Sequence, residues 1–256
     1  MGVAAGVDGC RSGWIAAYGE TGAQPHIAVF RRFADLVDAL PRHAVIAVDM
    51  PIGLPDHCGP GGRGPERLVR PLLGMRQSSV FSIPSRAAIY AGAGEVARSH
   101  EGPGDRAAAH RRASAVSRQS STPPRGVSIQ AFGLFGKIRE LDGLLRGRPE
   151  LAGRVVESHP EVCFWRLNGR QPLSEPKKVK GRVHPEGMAE RRALLGRAGI
   201  ADAVLGRLPP SGSGEDDMLD ALAVMIAARN RLAGTGLSFP DPSGFDSCGL
   251  PIAIQV

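Results

Sequence analysis

The order of short apolar runs at the start of the chain is the feature that most narrows its fold. Ala4 to Asp8 is an apolar run closed by an acid, and Gly9-Cys10-Arg11-Ser12-Gly13 reads as a turn. Trp14 to Tyr18 is a second run, and His26 to Arg31 alternates around Ile27 and Val29 as a third strand. Phe33, Leu36, Val37 and Leu40 then recur at i, i+3, i+4 and i+7, one face of an amphipathic helix. Val45-Ile46-Ala47-Val48 is continuously apolar, as a strand covered on both faces should be. It ends in Asp49 and the breaker series Met50-Pro51-Ile52-Gly53-Leu54-Pro55. The resulting β-β-β-α-β order predicts a hairpin meander feeding a parallel strand, the opening of a mixed α/β sheet.

Residues 56–128 are rich in Gly, Pro, Ser and Arg. A structureless loop of that length is uncommon inside a compact domain, so an insertion with helices of its own is expected, one of them over Ala107 to Ser117. Regular pattern resumes as a helix from Ile129 to Leu145 and a strand from Arg154 to Glu157. A helix over Glu186 to Leu195 follows. A last, buried helix opens at Ser213-Gly214-Glu215-Asp216, read as a capping box with Asp in place of Glu.

The chain of 256 residues carries a net charge of +7, and the excess lies in one stretch. Gly59 to Arg125 holds eleven Arg, no Lys and four acids, while the remainder is neutral. A basic segment of this kind suits a polyanionic partner, although a chain with only four Lys among its 32 cations has an arginine habit throughout. A hydrophobic content of 42% excludes wholesale disorder. No apolar run approaches the roughly 20 residues of a membrane span. The N-terminus lacks a basic leader region, and Cys10, Cys58, Cys163 and Cys248 are scattered. A cytoplasmic protein with reduced thiols and no zinc site is expected.

Three strands end in acids, at Asp8, Asp49 and Glu157. In open α/β sheets, sites form at the carboxyl ends of strands where the strand order reverses. If the first strand lies between the second and fourth, Asp8 and Asp49 become neighbours there, and the Glu157 strand adds a third acid. Asp217 and Asp220 share a face of the last helix, as Asp216 and Asp220 do alternatively. Carboxylates converging without a basic residue among them repel one another, and a hard cation such as Mg²⁺ or Mn²⁺ relieves this. Two such ions activate water and stabilise a leaving oxygen in phosphodiester hydrolysis. Each acid also has an ordinary reading: a turn former at Asp8, a helix-dipole partner at Asp216 and Asp217, an arginine partner at Glu157.

These residues carry a resemblance. The β-β-β-α-β start with Asp8 is similar to the RNase H fold. Asp217-Met218-Leu219-Asp220-Ala221-Leu222 resembles the D-x-x-D-A-L helix of Holliday-junction resolvases of that superfamily. More closely, the chain resembles the predicted RNase H-like nuclease family known as domain of unknown function 429. The matching stretches are Gly6 to Trp14, Ala47 to Pro55, Arg76 to Phe81 with Pro84 and Arg86, Glu157 to Glu161, and Asp216 to Leu222. The resemblance implies one RNase H-like domain over 1–256, a five-stranded mixed sheet in the order β-β-β-α-β-α-β-α with helices on both faces, and the insertion after the fourth strand. It also implies a metal-dependent nuclease with Asp8, Asp49, Asp217 and Asp220 as catalytic, metal-binding acids; Glu157 at its strand end is expected as a nearby metal ligand or as a group supporting the ligands. In the resolvases the second acid is usually Glu, one methylene longer than Asp49.

Arg11, Arg76, Ser78, Ser79 and Arg86 are candidates for holding substrate phosphates. Lys177, Lys178 and Lys180 read better as a solvated loop, and His159 as a hydrogen-bonded structural histidine. Two rival functions share these features. One is an ATP-dependent phosphotransferase or ATPase with a phosphate hairpin at Asp8 to Gly13; the other is a non-catalytic nucleic-acid-binding protein. A homodimer is left open.

Overall fold

A computed structural model of the protein describes residues 2–92 and 103–256. Strands β1 (Val3–Cys10), β2 (Gly13–Glu20) and β3 (His26–Phe30) form an antiparallel meander, followed by helix α1 (Phe33–Ala39) and strand β4 (Val45–Val48). The insertion contributes α2 (Gly64–Val69), a 3₁₀ stretch (Arg70–Ser79), α3 (Arg86–Ala91) and α4 (Pro103–Gln119). Helix α5 (Ile129–Gly147) and strand β5 (Val155–Glu157) complete the main sheet. Beyond them come α6 (Pro160–Leu167), the short hairpin β6 (Lys178–Val179) and β7 (Arg182–Val183), α7 (Pro185–Arg197), α8 (Asp202–Leu205) and α9 (Glu215–Leu232). A hairpin of β8 (Ser238–Phe245) and β9 (Pro251–Gln255), not foreseen from the sequence, closes the chain.

The main sheet has the order β3-β2-β1-β4-β5, with β4 and β5 parallel to β1. The first strand thus lies between the second and fourth, the condition under which Asp8 and Asp49 become neighbours. Side chains alternate across it with period two. Trp14, Ala16, Ile46 and Val48 face one core with Phe33 and Leu36 of α1 and Phe135 and Ile138 of α5. Ile15, Ala17, Ala47 and Val156 face a second core with α6, α7 and α9. The mixed sheet is therefore covered on both faces.

Contact between α9 and β1 is unusually close. A Cβ placed on Gly6 would sit 2.0 Å from the Met225 nitrogen and 2.2 Å from the Ala221 carbonyl oxygen. Only glycine permits this backbone approach. Because Asp8 lies two residues along β1 from Gly6, on the same face, and Asp220 directly precedes Ala221, this contact brings the two acids together.

Several expectations need correcting. Strand β1 runs two residues past Asp8, which pairs with Ile15 inside the strand rather than ending it. The cap of α9 is Gly214, not Ser213, and the acid at the third helical position is Asp217. Helix α4 spans more than the expected Ala107 to Ser117. Within the basic stretch, Glu95, Arg98 and Glu101 lie outside the described residues.

Candidate metal centre

The parallel pairing of β1 and β4 continues one residue past Val48, where the Asp49 amide donates to the Val7 carbonyl at 2.8 Å. That bond sets Asp49 beside Asp8, both on the α9 face of the sheet. Asp220 reaches the same point from the first turns of α9. One carboxylate oxygen from each of Asp8, Asp49 and Asp220 lies within 4.8 Å of the others. Asp8 and Asp220 are buried and Asp49 is half-buried.

Burial raises the Asp8 carboxyl well above the usual range, and the negative charges of Asp49 and Asp220 add to the effect. Burial likewise pushes Asp49 up to about 6, opposed by His159. Asp220 is raised by burial against the pull of Lys177. A carboxylate with a raised folded pKa keeps a proton that the unfolded chain has released. Its contribution to stability is therefore complete below about pH 4 and is lost as pH rises through its folded pKa. In thermal melts with a chelator, wild type is expected to lose more stability between pH 4 and 7 than Asp49→Asn. Superimposable pH profiles of the two proteins would contradict this.

The remaining acids are spent elsewhere. Asp217 Oδ2 accepts the Gly214 amide at 2.8 Å, satisfying the start of α9. Asp216 Oδ2 meets Lys178 Nζ at 2.6 Å and Lys177 Nζ at 3.3 Å. Glu157 stands outside the cluster because of register. It pairs with Val48, and its side chain shares the face of Val155, away from α9. There Glu157 Oε1 accepts Arg63 Nη2 at 2.5 Å, while Oε2 accepts Arg63 Nη1 at 3.0 Å and the Ile52 amide at 2.7 Å. The expected third strand-end ligand is thus a buried ion pair.

The proposed phosphate holders are also dispersed. Arg86 pairs with Asp142 at 2.9 Å and Asp246 at 2.5 Å, fastening α3 to α5 and the C-terminal hairpin. Arg11 and Ser78 are exposed, and Arg76 is half-buried with its Nε unpartnered. Ser79 alone of the five lines the cavity beside the acids, its hydroxyl donating to the Arg76 carbonyl at 2.8 Å. Arg63 and Arg70 of the basic insertion bond internally, to Glu157 and Glu66 and to the Val80 carbonyl respectively. Part of the segment's positive charge therefore holds the insertion in place. The hairpin suggested for phosphate is engaged as well: Ser12 N–H donates to the Gly212 carbonyl at 3.1 Å and Gly9 N–H to Asp8 Oδ1 at 2.6 Å.

Three residues missed or undervalued in the sequence stand at the site. Lys177 Nζ contacts Asp220 Oδ2, so the converging acids do have a base among them. Lys137, reaching from α5, lies with its Nζ 4.5 Å from the Trp14 ring centre, over Gly9, and burial lowers its pKa. His159 precedes α6 and lines the cavity, with its buried Nδ1 lacking a hydrogen-bond partner. The cavity, about 190 Å³, opens beside Asp8 and Asp49, with Phe81, Ile83 and Leu134 as apolar wall.

A hard divalent cation fits these residues. The donors are all carboxylate oxygens, the ligand type that Mg²⁺ and Mn²⁺ take. Asp220 is 4% exposed, and its Oδ1 has no hydrogen-bond partner, a costly state for a buried acceptor.

Fold and site together define a mixed α/β protein with a carboxylate cluster where two parallel strands and a helix meet. The chain belongs to the family described as "Protein of unknown function (DUF429)", whose profile matches residues 6–244. Comparison with curated proteins and with solved structures finds no match. Among the described residues, no helix is long and apolar enough to cross a membrane, and all four cysteines are free.

Proposed function

We propose that the chain is an RNase H-like, divalent-metal-dependent phosphodiesterase acting on nucleic acid. The observation that carries this reading is the meeting of Asp8, Asp49 and Asp220 within 4.8 Å, with Asp220 Oδ1 unpartnered. The strand order β3-β2-β1-β4-β5, antiparallel then parallel, supports the RNase H-like topology. So does the helix bearing Asp220, which packs on β1 at Gly6.

In this reading Asp8, Asp49 and Asp220 hold Mg²⁺ or Mn²⁺, which when bound lowers the pKa of a water and steadies the developing charge on a phosphodiester. Asp8 and Asp49 are fixed by adjacent strands, so their spacing is set by the sheet rather than by loop conformation. Lys137 and His159 flank the adjoining cavity, where each offers a donor to a phosphate oxygen. The apolar wall of Phe81, Ile83 and Leu134 excludes water from one side. The phosphotransferase alternative is weaker, because the Asp8 to Gly13 turn already uses the Gly9 and Ser12 amides within the protein.

The test is incubation of purified protein with single- and double-stranded DNA, RNA, RNA–DNA hybrid and branched DNA, with Mg²⁺ or Mn²⁺. Cleavage of at least one substrate is expected, abolished by chelator and restored by added ion. Intact substrates throughout would overturn the proposal. Salt-sensitive binding without cleavage would favour a nucleic-acid-binding protein instead.

A further inference from the structure

We infer that the site takes one divalent ion, not two, and that the Lys177 ammonium is its built-in second cation. This rests on the metal-dependent reading above and deepens it. The acids near the site divide by whether their oxygens meet, Asp8, Asp49 and Asp220 forming the cluster although Asp8 also accepts the Gly9 amide at 2.6 Å. Asp217 accepts the Gly214 amide at 2.8 Å, and Asp216 is bound to Lys178 at 2.6 Å. Glu157 is on the opposite face with Arg63. Glu161, whose charge acts on Asp49 and Asp220, is held by Arg191 through Oε1. The acids whose oxygens meet within 4.8 Å are Asp8, Asp49 and Asp220, and Asp220 Oδ1 is unpartnered. Those oxygens make one set of protein ligands for a single hard cation, its other positions left to water and substrate.

Lys177 takes the other carboxylate oxygen of Asp220, one that a second ion would have to share. Its Nζ contacts Asp220 Oδ2 and lies 3.3 Å from Asp216 Oδ2. The ammonium thus stands between two carboxylates, one from each of Asp220 and Asp216. One divalent ion and one ammonium match the charge of the three clustered carboxylates. A second divalent ion would have to expel Lys177 or leave excess positive charge in a partly buried site. The residue type fits this role. An ammonium is a compact point charge, whereas a guanidinium is a broad planar fork. A chain that relies on Arg for most of its cations nevertheless places Lys at both 177 and 178, beside the acids of α9. Lys178, the first residue of β6, pairs with Asp216 and so ties this stretch to the start of α9.

The measurement is Mn²⁺ binding to the intact protein, followed by electron paramagnetic resonance and by calorimetry, without substrate. Wild type should bind one ion. Lys177→Met and Lys177→Gln, two variants chosen so that one misfolding protein does not end the test, should each bind a second ion. Lys178→Met, which removes only the Asp216 contact, should keep the wild-type stoichiometry. Two ions in wild type, or an unchanged count in both folded Lys177 variants, would overturn the role of Lys177 while leaving the metal site standing. Absence of Mn²⁺ binding in every protein would overturn the metal-dependent reading itself.

Discussion

Asp8→Asn should lower metal-dependent cleavage by at least about a thousandfold, the equivalent of roughly 4 kcal/mol of lost transition-state stabilisation. The residue stands on the central strand β1, between the acids supplied by β4 and α9, while Asp217 caps the start of α9 and Glu157 pairs with Arg63. The substitution keeps the side chain's shape, so the strand pairing of Asp8 with Ile15 should survive. Because burial and two like charges already work against the ionised Asp8 carboxyl, its neutral replacement relieves repulsion in the metal-free protein. The metal-free variant should therefore melt no lower than wild type, and Mn²⁺ should stabilise it less. An enzyme assay with a parallel melting curve separates the outcomes. Wild-type cleavage by Asp8→Asn would remove Asp8 from the chemistry, whereas loss of cleavage with a lowered melting point would assign it to the fold.

Arg63→Met should produce the largest loss of stability. The guanidinium is 1% exposed and binds Glu66 Oε1 at 2.7 Å and Glu157 Oε1 at 2.5 Å. Its Nη1 also donates to the carbonyls of Ile52 and Gly53 at 2.7 and 2.9 Å. Removing it strands two buried carboxylates and leaves two carbonyls short of a donor. Breaking a buried pair in this way typically costs about 3–5 kcal/mol, which for a chain of this size lowers the melting temperature by roughly 6–20 °C. The damage should extend to the site, because Arg63 holds the segment that follows Asp49. Adding Glu157→Gln to Arg63→Met should recover part of the loss, since one stranded charge disappears. A melting temperature within about 2 °C of wild type would show that the network contributes little, as exposed pairs do.

The sequence made one half of the candidate site legible and concealed the other. Asp8 and Asp49 were readable because each follows an apolar run, and the connection pattern placed those runs side by side. Asp220 was readable because α9 is apolar immediately beyond it. Glu157 followed the same pattern and yet faces away. Alternation along a strand gives each residue a side, but which side depends on register, here fixed by Val48 opposite Glu157. Asp217 was drawn into the site by motif spacing, while the start of α9 at Gly214 uses it as a cap. Lys177 gave no local signal, since a lysine after a proline looks like any exposed loop residue. Its contact with Asp220 crosses 43 positions of the chain. The arginines of the insertion misled for a related reason: composition shows that they are charged, not that Arg63 and Arg86 are held by buried acids.

By itself the sequence determined the order of the elements, the two-sided burial of the sheet and the placement of acids toward the carboxyl ends of β1 and β4. These follow from apolar periodicity and chain connectivity, which are local properties. Only the tertiary structure decided which acids meet and which cations they already hold. The close approach at Gly6 sets Asp220 against Asp8, β-sheet register turns Glu157 to the other face, and the stretch around Lys177 returns over α9. The reason is physical. Charge interactions at a buried site depend on distances between segments remote in sequence, and packing sets those distances only after the elements have formed.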